Sequence, residues 1–249
     1  VKSYESDMSF SVSMNNGRLE YSGKSLFTLF SQKKNLFNLH FIKMLYEIIR
    51  FYREAEKDKY HYKNITISKY LEVKKYSDYF KNNHLYPMAA SIWSSPINKI
   101  AKYPFMEFVS FFSNHGLLRV VDRPKWRTVH GGSKEYVKKV LSNKNIKSFK
   151  NINVRINRKK NKWKLTGKNN VKYYDHVVLC VHSDQVKNVI SDRGYNHSNI
   201  FSGIKYNKNK VYLHSDERLM PKNRKAWASW NYLENKSQLS VTYWMNLLQ

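Results

Sequence analysis

The spacing of apolar residues changes along this chain, and that change constrains the fold more than any other feature. Before Trp126, apolar residues mostly recur at intervals of three and four, as in Leu39 to Ala55, which predicts helices. Phe10 to Tyr21 is an exception, because it alternates around an Asn15-Asn16-Gly17 turn and predicts a hairpin. From Trp126 onwards, short alternating runs predict strands. The sequence therefore predicts an α/β protein.

The longest apolar run in the second half is Asp175 to Val181, which predicts a strand buried on both faces. A helix is predicted to follow it from Ser183 to Ile190. No apolar stretch approaches the roughly 18 residues of a membrane-spanning helix, so no transmembrane segment is expected. The N-terminus also lacks the layout of a signal peptide. We expect a cytoplasmic protein, with peripheral association with a membrane as an open alternative.

The formal net charge is +27, which suggests a nucleic-acid or anionic-membrane partner if the cations are local. The lysines lie all along the sequence, however, and Asn, Ile, Tyr and Phe are abundant while Gly and Pro are scarce. This composition is typical of AT-rich coding. The charge is therefore interpreted first as compositional, with no specific nucleic-acid partner, and second as a basic binding surface.

Cysteine and histidine usage argues against a metal centre. Cys180 is the only cysteine, so a disulfide within the chain is impossible and a cysteine-based zinc site is not expected. The nine histidines show no His-x-x-x-His spacing. No Ser/His/Asp or Cys/His arrangement stands out, and no catalytic residue is assigned.

A strand followed by Gly131-Gly132 and a helix beginning near Ser133 is the motif with most chemical content. Glycine has no Cβ, so paired glycines let the backbone approach a ligand closely. The first N–H groups of the following helix lack intrahelical acceptors and can donate to a polar ligand. Taken alone, the motif predicts a tight turn at least as readily as a ligand site.

The order of these elements resembles that of the flavin-containing amine oxidases. A Gly-Gly helix is followed by a strand at Val154, a hairpin, and the Asp175 to Val181 run. Longer stretches resemble one branch of that family, the predicted NAD/FAD-binding amine-oxidase-like proteins of bacteria, and together they cover nearly the whole chain. They are Met8 to Ser13, Gly17 to Tyr21, Pro87 to Ser94, Asn114 to Leu118, Trp126 to Ser133, His182 to Gln185, Leu213 to Asp216, Leu219 to Pro221, Trp227 to Tyr232 and Val241 to Asn246.

The resemblance implies two interleaved domains. Residues 129–200 would form part of an FAD-binding Rossmann-like domain, and residues 1–128 and 201–249 a substrate domain of mixed sheet and helices. FAD is the implied cofactor. The residues implied to bind it are Gly131, Gly132, Ser133, Val154, Cys180, Val181 and His182. The aromatic and histidine residues that could line the substrate cavity are Trp93, His115, Trp230, Tyr243 and Trp244, with ordinary core packing as the alternative role.

Two parts expected in such a family do not occur in the sequence. No Gly-x-Gly-x-x-Gly fingerprint is present, and the family's second flavin-contacting segment would lie beyond Gln249. The chain is therefore expected to be an internal fragment, inactive alone, of an FAD-dependent oxidoreductase that oxidises or desaturates a small-molecule or lipid substrate. The alternatives are a basic module for nucleic acid or anionic membrane, and a flavin-fold protein without redox activity.

Overall fold

The chain divides into two compact units. Its computed structural model describes residues 1–168, 170–191, 200–201, 203–206, 208–235 and 238–248. Unit 1 comprises Val1–Tyr136 and Leu213–Gln249, and unit 2 comprises Val137–Tyr212. Helices and mixed sheets are both present, which confirms the predicted α/β class. The predicted boundaries fell at residues 129 and 200, and the assignment of these parts to flavin and substrate domains stays a prediction.

Helices account for most of the first half of unit 1. Asn38, Thr66 and Ser77 each cap a helix by accepting a hydrogen bond from a backbone N–H three residues later. The helices of the described chain are α1 (Leu26–Leu29), α2 (Leu39–Asp58), α3 (Ile67–Val73), α4 (Asp78–Phe80), α5 (Tyr86–Trp93), α6 (Ile97–Ala101), α7 (Phe105–Asn114), α8 (Lys134–Leu141), α9 (Val186–Val189) and α10 (Met245–Leu248), with a π-helical turn over Lys81–Leu85 joining α4 to α5.

A four-stranded sheet lies at the centre of unit 1. The strands of the described chain are β1 (Ser3–Glu5), β2 (Phe10–Met14), β3 (Leu19–Ser22), β4 (Arg127–Val129), β5 (Arg155–Lys159), β6 (Lys162–Thr166), β7 (Val171–Tyr174), β8 (Trp230–Asn235) and β9 (Gln238–Tyr243). The sheet order is β3-β2-β8-β9, in which β2 and β8 are parallel and the other pairs antiparallel. The predicted hairpin, β2-β3, is confirmed, and β1 pairs with β4 in a separate ribbon.

One face of this sheet forms the hydrophobic core with the helices. Val12 lies between Tyr21 and Tyr232 in register, so these three side chains share a face, and all three are buried. The helices pack against this face with a dense set of aromatic rings, among them Tyr70 stacked on Phe105 at 3.8 Å between ring centroids. Burial of large aromatic side chains is the dominant stabilising contribution in such a core.

The opposite face is polar and is also buried. Ser11, Ser13, Glu20 and Asn231 lie on it and are at most 6% exposed. The carboxylate of Glu20 accepts hydrogen bonds from the Ser13 hydroxyl (2.7 Å) and from two backbone N–H groups, at residues 222 (2.7 Å) and 223 (2.8 Å). A buried charge is tolerated only when it is satisfied in this way, so the covering segment must dock for this face to form.

The buried stripe of α2 also contains a carboxylate. Glu47 is 2% exposed and accepts hydrogen bonds from the backbone N–H of Ser77 (2.8 Å) and from its hydroxyl. The same hydroxyl oxygen caps α4 by accepting from the N–H of Phe80. The periodicity of Leu39 to Ala55 predicted the helix correctly but treated its inner face as purely apolar.

Unit 2 is built around a small antiparallel sheet of order β5-β6-β7. In its described part, Ile156 and Val186 are the buried apolar side chains. The strand predicted over Asp175 to Val181 is not formed: the run has no strand partner among the described residues, Val178 is 85% exposed, and Cys180 is exposed. A strand buried on both faces needs a neighbour on each side and a layer over each face, and β7 ends the sheet before this run begins.

Lysines and arginines lie in both units, but their excess over carboxylates is denser in unit 2. Unit 2 carries 18 Lys and Arg against 3 Asp and Glu, a net charge of +15 over residues 137–212, whereas unit 1 carries 27 against 15, a net +12. Unit 1 is more than twice as long. Unit 2 is a contiguous stretch of the sequence, inserted between the two parts of unit 1. The excess charge therefore has a structural location.

Replacing Glu20 tests the buried polar face. Glu20→Ala leaves the Ser13 hydroxyl and two backbone N–H groups without their acceptor, and we expect the free energy of unfolding to fall by about 2–4 kcal/mol. Urea denaturation of the chain measures this change. Glu5→Ala, which removes an exposed carboxylate paired with Lys125, should change stability by less than about 0.5 kcal/mol. Equal effects of the two substitutions would contradict the assigned role of Glu20.

A second prediction concerns acid stability. His84 is buried, and burial together with the nearby Arg123 cation lowers its pKa from 6.5 to about 3. Below pH 6.5 the unfolded chain therefore binds a proton at this histidine while the folded chain does not. The contribution of His84 to the free energy of unfolding is present in full above pH 6.5 and declines by up to about 1.4 kcal/mol per pH unit below it. In denaturation between pH 7 and 5, His84→Leu should lose this decline while the exposed His214→Leu keeps it. A decline unchanged in His84→Leu would refute the assignment.

Candidate functional site

Four of the five residues predicted for the substrate cavity form two groups of contacts in unit 1: an aromatic row that contains Trp93 and His115, and the cross-strand pair of Trp230 and Tyr243. Trp93 ends α5, and its ring lies 4.8 Å from Tyr103 and 5.0 Å from Phe111, measured between centroids. Phe111 stacks on His115 at 4.1 Å, and His115 lies parallel to Trp126 at 6.3 Å. Trp93, Phe111 and His115 are half-buried, whereas Tyr103 and Trp126 are exposed. The row therefore presents a partly open aromatic surface.

His115 caps the C-terminus of α7 and provides a polar atom within this row. Its Nδ1 lies 2.8 Å from the carbonyl oxygen of Phe111. A carbonyl oxygen only accepts, so Nδ1 carries a proton, and in the neutral imidazole the lone pair is on Nε2. The backbone hydrogen bond therefore fixes the ring orientation and the tautomer. An imidazole held in this way can accept a hydrogen bond from a ligand through Nε2.

Tyr243 connects the row to the edge of the four-stranded sheet. Its hydroxyl donates to the carbonyl oxygen of Ser91 in α5 (3.2 Å) and lies 3.5 Å from the hydroxyl of Ser94. Trp230, its cross-strand partner, meets the Tyr243 ring edge-on at 6.1 Å. Ser94 has a positive φ of 46° and ends α5. The end of α5 thus brings Trp93 and Tyr243 together from distant parts of the sequence.

Trp244 makes a different contact. Its ring packs edge-on against that of Trp227 at 5.3 Å between centroids, and its backbone N–H donates to the carbonyl oxygen of Ser229. Trp227 is itself fixed by a hydrogen bond from its indole N–H to the carbonyl oxygen of Pro221 (2.7 Å). This pair holds the segment that covers the polar face of the sheet, which makes the contacts of Trp244 structural.

Gly131 and Gly132 form the predicted turn between β4 and α8. Both have positive φ, 78° and 84°, a conformation that favours glycine. A Cβ on Gly132 would meet no atom within 4 Å, whereas one on Gly131 would lie 3.1 Å from the Glu135 side chain. Ser133 is exposed directly before the helix. The backbone at Gly132 is therefore open to approach by another molecule.

The other four residues implied to bind FAD belong to unit 2. Val154 is half-buried just before β5, while Cys180 and Val181 are exposed. His182 stacks on Tyr206 at 4.2 Å, and the Tyr206 hydroxyl accepts hydrogen bonds from the backbone N–H and the hydroxyl of Ser183, both at 3.1 Å. No sequence pattern pointed to Tyr206, because it lies 23 residues from Ser183, in a run from Ile204 to Leu213 whose patterning predicts a strand but whose described residues form none.

The remaining features of the described chain add no chemistry to this row. An open cleft of about 520 Å³ is lined by His40, Lys43, Ser77, Asp78, Tyr79, Asn82 and Asn83, and none of the predicted site residues lines it. Among the described residues no group of three His, Cys, Asp or Glu is placed to hold a metal ion. In the same part of the chain, no helix combines the length and apolar character needed to cross a bilayer.

Comparisons with known proteins assign neither a family nor a function to this chain. No model of a known protein family matches this sequence, and no curated protein is significantly similar to it. The flavin-related roles implied for residues of both units therefore stay predictions.

Two substitutions separate packing from ligand-facing roles in the aromatic row. Trp93 contacts four aromatic rings, including Phe108 and Phe112, so Trp93→Ala should lower the free energy of unfolding by about 3 kcal/mol. Trp126→Ala, at the exposed end of the row, should lower the free energy of unfolding by less than about 1 kcal/mol. Thermal or urea denaturation followed by circular dichroism measures both. Similar losses at the two positions would mean that the outer end is core as well.

Proposed function

We propose that this chain belongs to an FAD-dependent oxidoreductase of the amine-oxidase type, which oxidises or desaturates a small-molecule or lipid substrate. The observation that carries the proposal is the β4–Gly131–Gly132–α8 turn, which leaves open space beside the backbone of Gly132. The order of the following strands supports it, since β5, β6 and β7 succeed the Gly-Gly helix as in the family that the sequence resembles. Residues 129–200 would then contribute to a Rossmann-like FAD domain.

The residues present fit FAD in part. The turn can offer backbone N–H groups at the start of α8 without a Cβ in the way. Glu135 places a carboxylate side chain beside Gly131, which disfavours a diphosphate there and suits a neutral polar edge of the cofactor. Cys180, Val181 and His182 belong to unit 2 and have no strand behind them in the described residues, so the proposal rests on the turn of unit 1.

In this proposal the chain binds and orients, while bound FAD supplies the two-electron oxidation. The open space beside Gly132 would receive a polar edge of the cofactor, with N–H groups at the start of α8 as donors. Trp93 and Tyr243 would pack against the apolar part of a substrate and exclude water from it. Nε2 of His115 would accept a hydrogen bond from a polar group of the same substrate. No acid or base among these residues is required for the oxidation itself.

Flavin retention tests the proposal. The whole protein that contains this chain should purify with an oxidised-flavin absorption spectrum. Gly132→Val should lose most of the bound FAD, because its side chain fills the space beside the turn. Gly132→Ala introduces the same positive-φ strain with a smaller side chain, so it should retain more FAD than Gly132→Val. The difference in FAD occupancy between the two variants reports how closely the cofactor approaches this backbone. Absorbance and released-flavin fluorescence give the occupancy.

The outcomes of this experiment discriminate the alternatives. A colourless protein that takes up no added FAD would eliminate the flavin proposal. Equal retention in Gly132→Val and the unmodified protein would show that the glycines form only a turn. A protein that holds FAD but is neither reduced by amine or lipid substrates nor reoxidised would be a flavin-fold protein without redox activity.

A further inference from the structure

The charge of unit 2 is largely unbalanced by its own carboxylates. Its net charge is +15, and in its described part Lys162 is the one lysine or arginine that pairs with a carboxylate, that of Asp175 at 3.6 Å. The described part of unit 1, by contrast, has ten such pairs over its helices and loops. An uncompensated field of this sign attracts an anionic partner.

Residues 137–152 are the part of unit 2 where this charge coincides with exposed apolar side chains. We name them the basic amphipathic segment. The segment contains five lysines, Lys138, Lys139, Lys144, Lys147 and Lys150, and no carboxylate, and every residue of it is exposed. A strongly basic stretch whose side chains are all exposed is a candidate interaction surface.

The segment begins within α8, which is amphipathic but has no buried residue. Val137, Val140 and Leu141 fall on one side of the helix by their spacing of three and four, and are 44%, 55% and 39% exposed. Lys138 and Lys139 fall on the other side. A soluble helix normally buries such an apolar stripe against a core, and here the stripe faces solvent.

The same combination continues after the helix. Ile146, Phe149 and Ile152 recur every third residue and are 41%, 60% and 47% exposed. Lys144 and Lys147 each precede one of them by two residues, and Lys150 precedes Ile152 in the same way. The Phe149 ring is approached by the Lys172 ammonium at 4.7 Å, which adds a further cation to the same place.

We propose that the basic amphipathic segment docks on the surface of an anionic lipid bilayer. Lysines attract the phosphate-bearing headgroups, while the six apolar side chains enter the boundary between headgroups and acyl chains. A nucleic acid would satisfy the lysines through its phosphates but would offer nothing to aliphatic side chains such as Val140 and Ile146. The pairing of both chemistries in one segment favours the membrane. This inference does not rest on the flavin proposal.

Vesicle flotation tests the docking, because it separates bound protein from aggregates. The full chain should float with phosphatidylcholine vesicles that contain phosphatidylserine, and remain behind with phosphatidylcholine alone. Replacing Lys144, Lys147 and Lys150 by Gln should weaken binding roughly a hundredfold. The matched control replaces Lys159, Lys160 and Lys168 by Gln, which removes the same charge from exposed positions elsewhere in unit 2, and should weaken it less than about threefold.

A double variant, Val140→Ser and Phe149→Ser, tests the apolar contribution. It keeps every charge and changes only exposed side chains, so circular dichroism should be unchanged while vesicle binding falls at least about tenfold. Absence of binding to phosphatidylserine vesicles, or equal losses in the two lysine triples, would overturn the proposal. Full binding by the serine variant, together with tight single-stranded DNA binding at physiological salt, would assign the segment to nucleic acid instead.

Discussion

The buried carboxylate of Glu20 is the interaction on which the arrangement of unit 1 depends. It lies on a sheet face made mostly of small polar side chains, where its charge is tolerated because Ser13 and the backbone at residues 222 and 223 donate to it. Ser13 lies about 200 residues before the other two donors in the sequence. Neither the hairpin β2-β3 nor the segment before β8 can bury its polar groups alone, so the beginning and end of unit 1 must fold together. The two segments meet where β2 pairs in parallel with β8.

The two units solve the problem of apolar surface differently. Unit 1 buries tyrosine, phenylalanine and methionine from both of its sequence segments in one continuous cluster. Unit 2 has a three-stranded sheet that is too small to cover its own apolar residues, and Val178, Phe149 and Tyr173 stay exposed as a result. Among its described cations, Lys162 is the one lysine or arginine paired with a carboxylate. The proposed membrane docking draws on the exposed apolar and basic groups of unit 2, whereas the proposed substrate contacts draw on the aromatic row of unit 1.

The aromatic row combines packing with exposure. Trp93 is anchored among rings from α7 and cannot be moved without loss of core contacts, while His115 and Tyr243 keep a polar atom oriented by a backbone hydrogen bond. Side chains held by such hydrogen bonds need little reorganisation to bind a ligand. The open turn at Gly132 is likewise fixed, by a hydrogen bond from its N–H to the carbonyl oxygen of Val129. The proposed oxidoreductase function draws on these pre-oriented groups, and the proposed membrane docking draws on a different unit.

The sequence by itself determined the local elements. Periods of three and four fixed α2, α3 and α7, an Asn-Asn-Gly turn fixed the β2-β3 hairpin, and paired glycines fixed the turn before α8, because each of these depends on neighbouring residues. The tertiary structure decided what depends on distant partners. It left Asp175 to Val181 exposed because an apolar run becomes a buried strand only where other strands meet it. It placed Trp93 and His115 in one aromatic row, paired Trp230 with Tyr243 and packed Trp244 on Trp227, because side-chain neighbours arise from packing. The net charge of +15 over residues 137–212 is likewise a property of the sequence, whereas the tertiary structure decided that this stretch forms a compact unit of its own, because the segments on either side of it share one core.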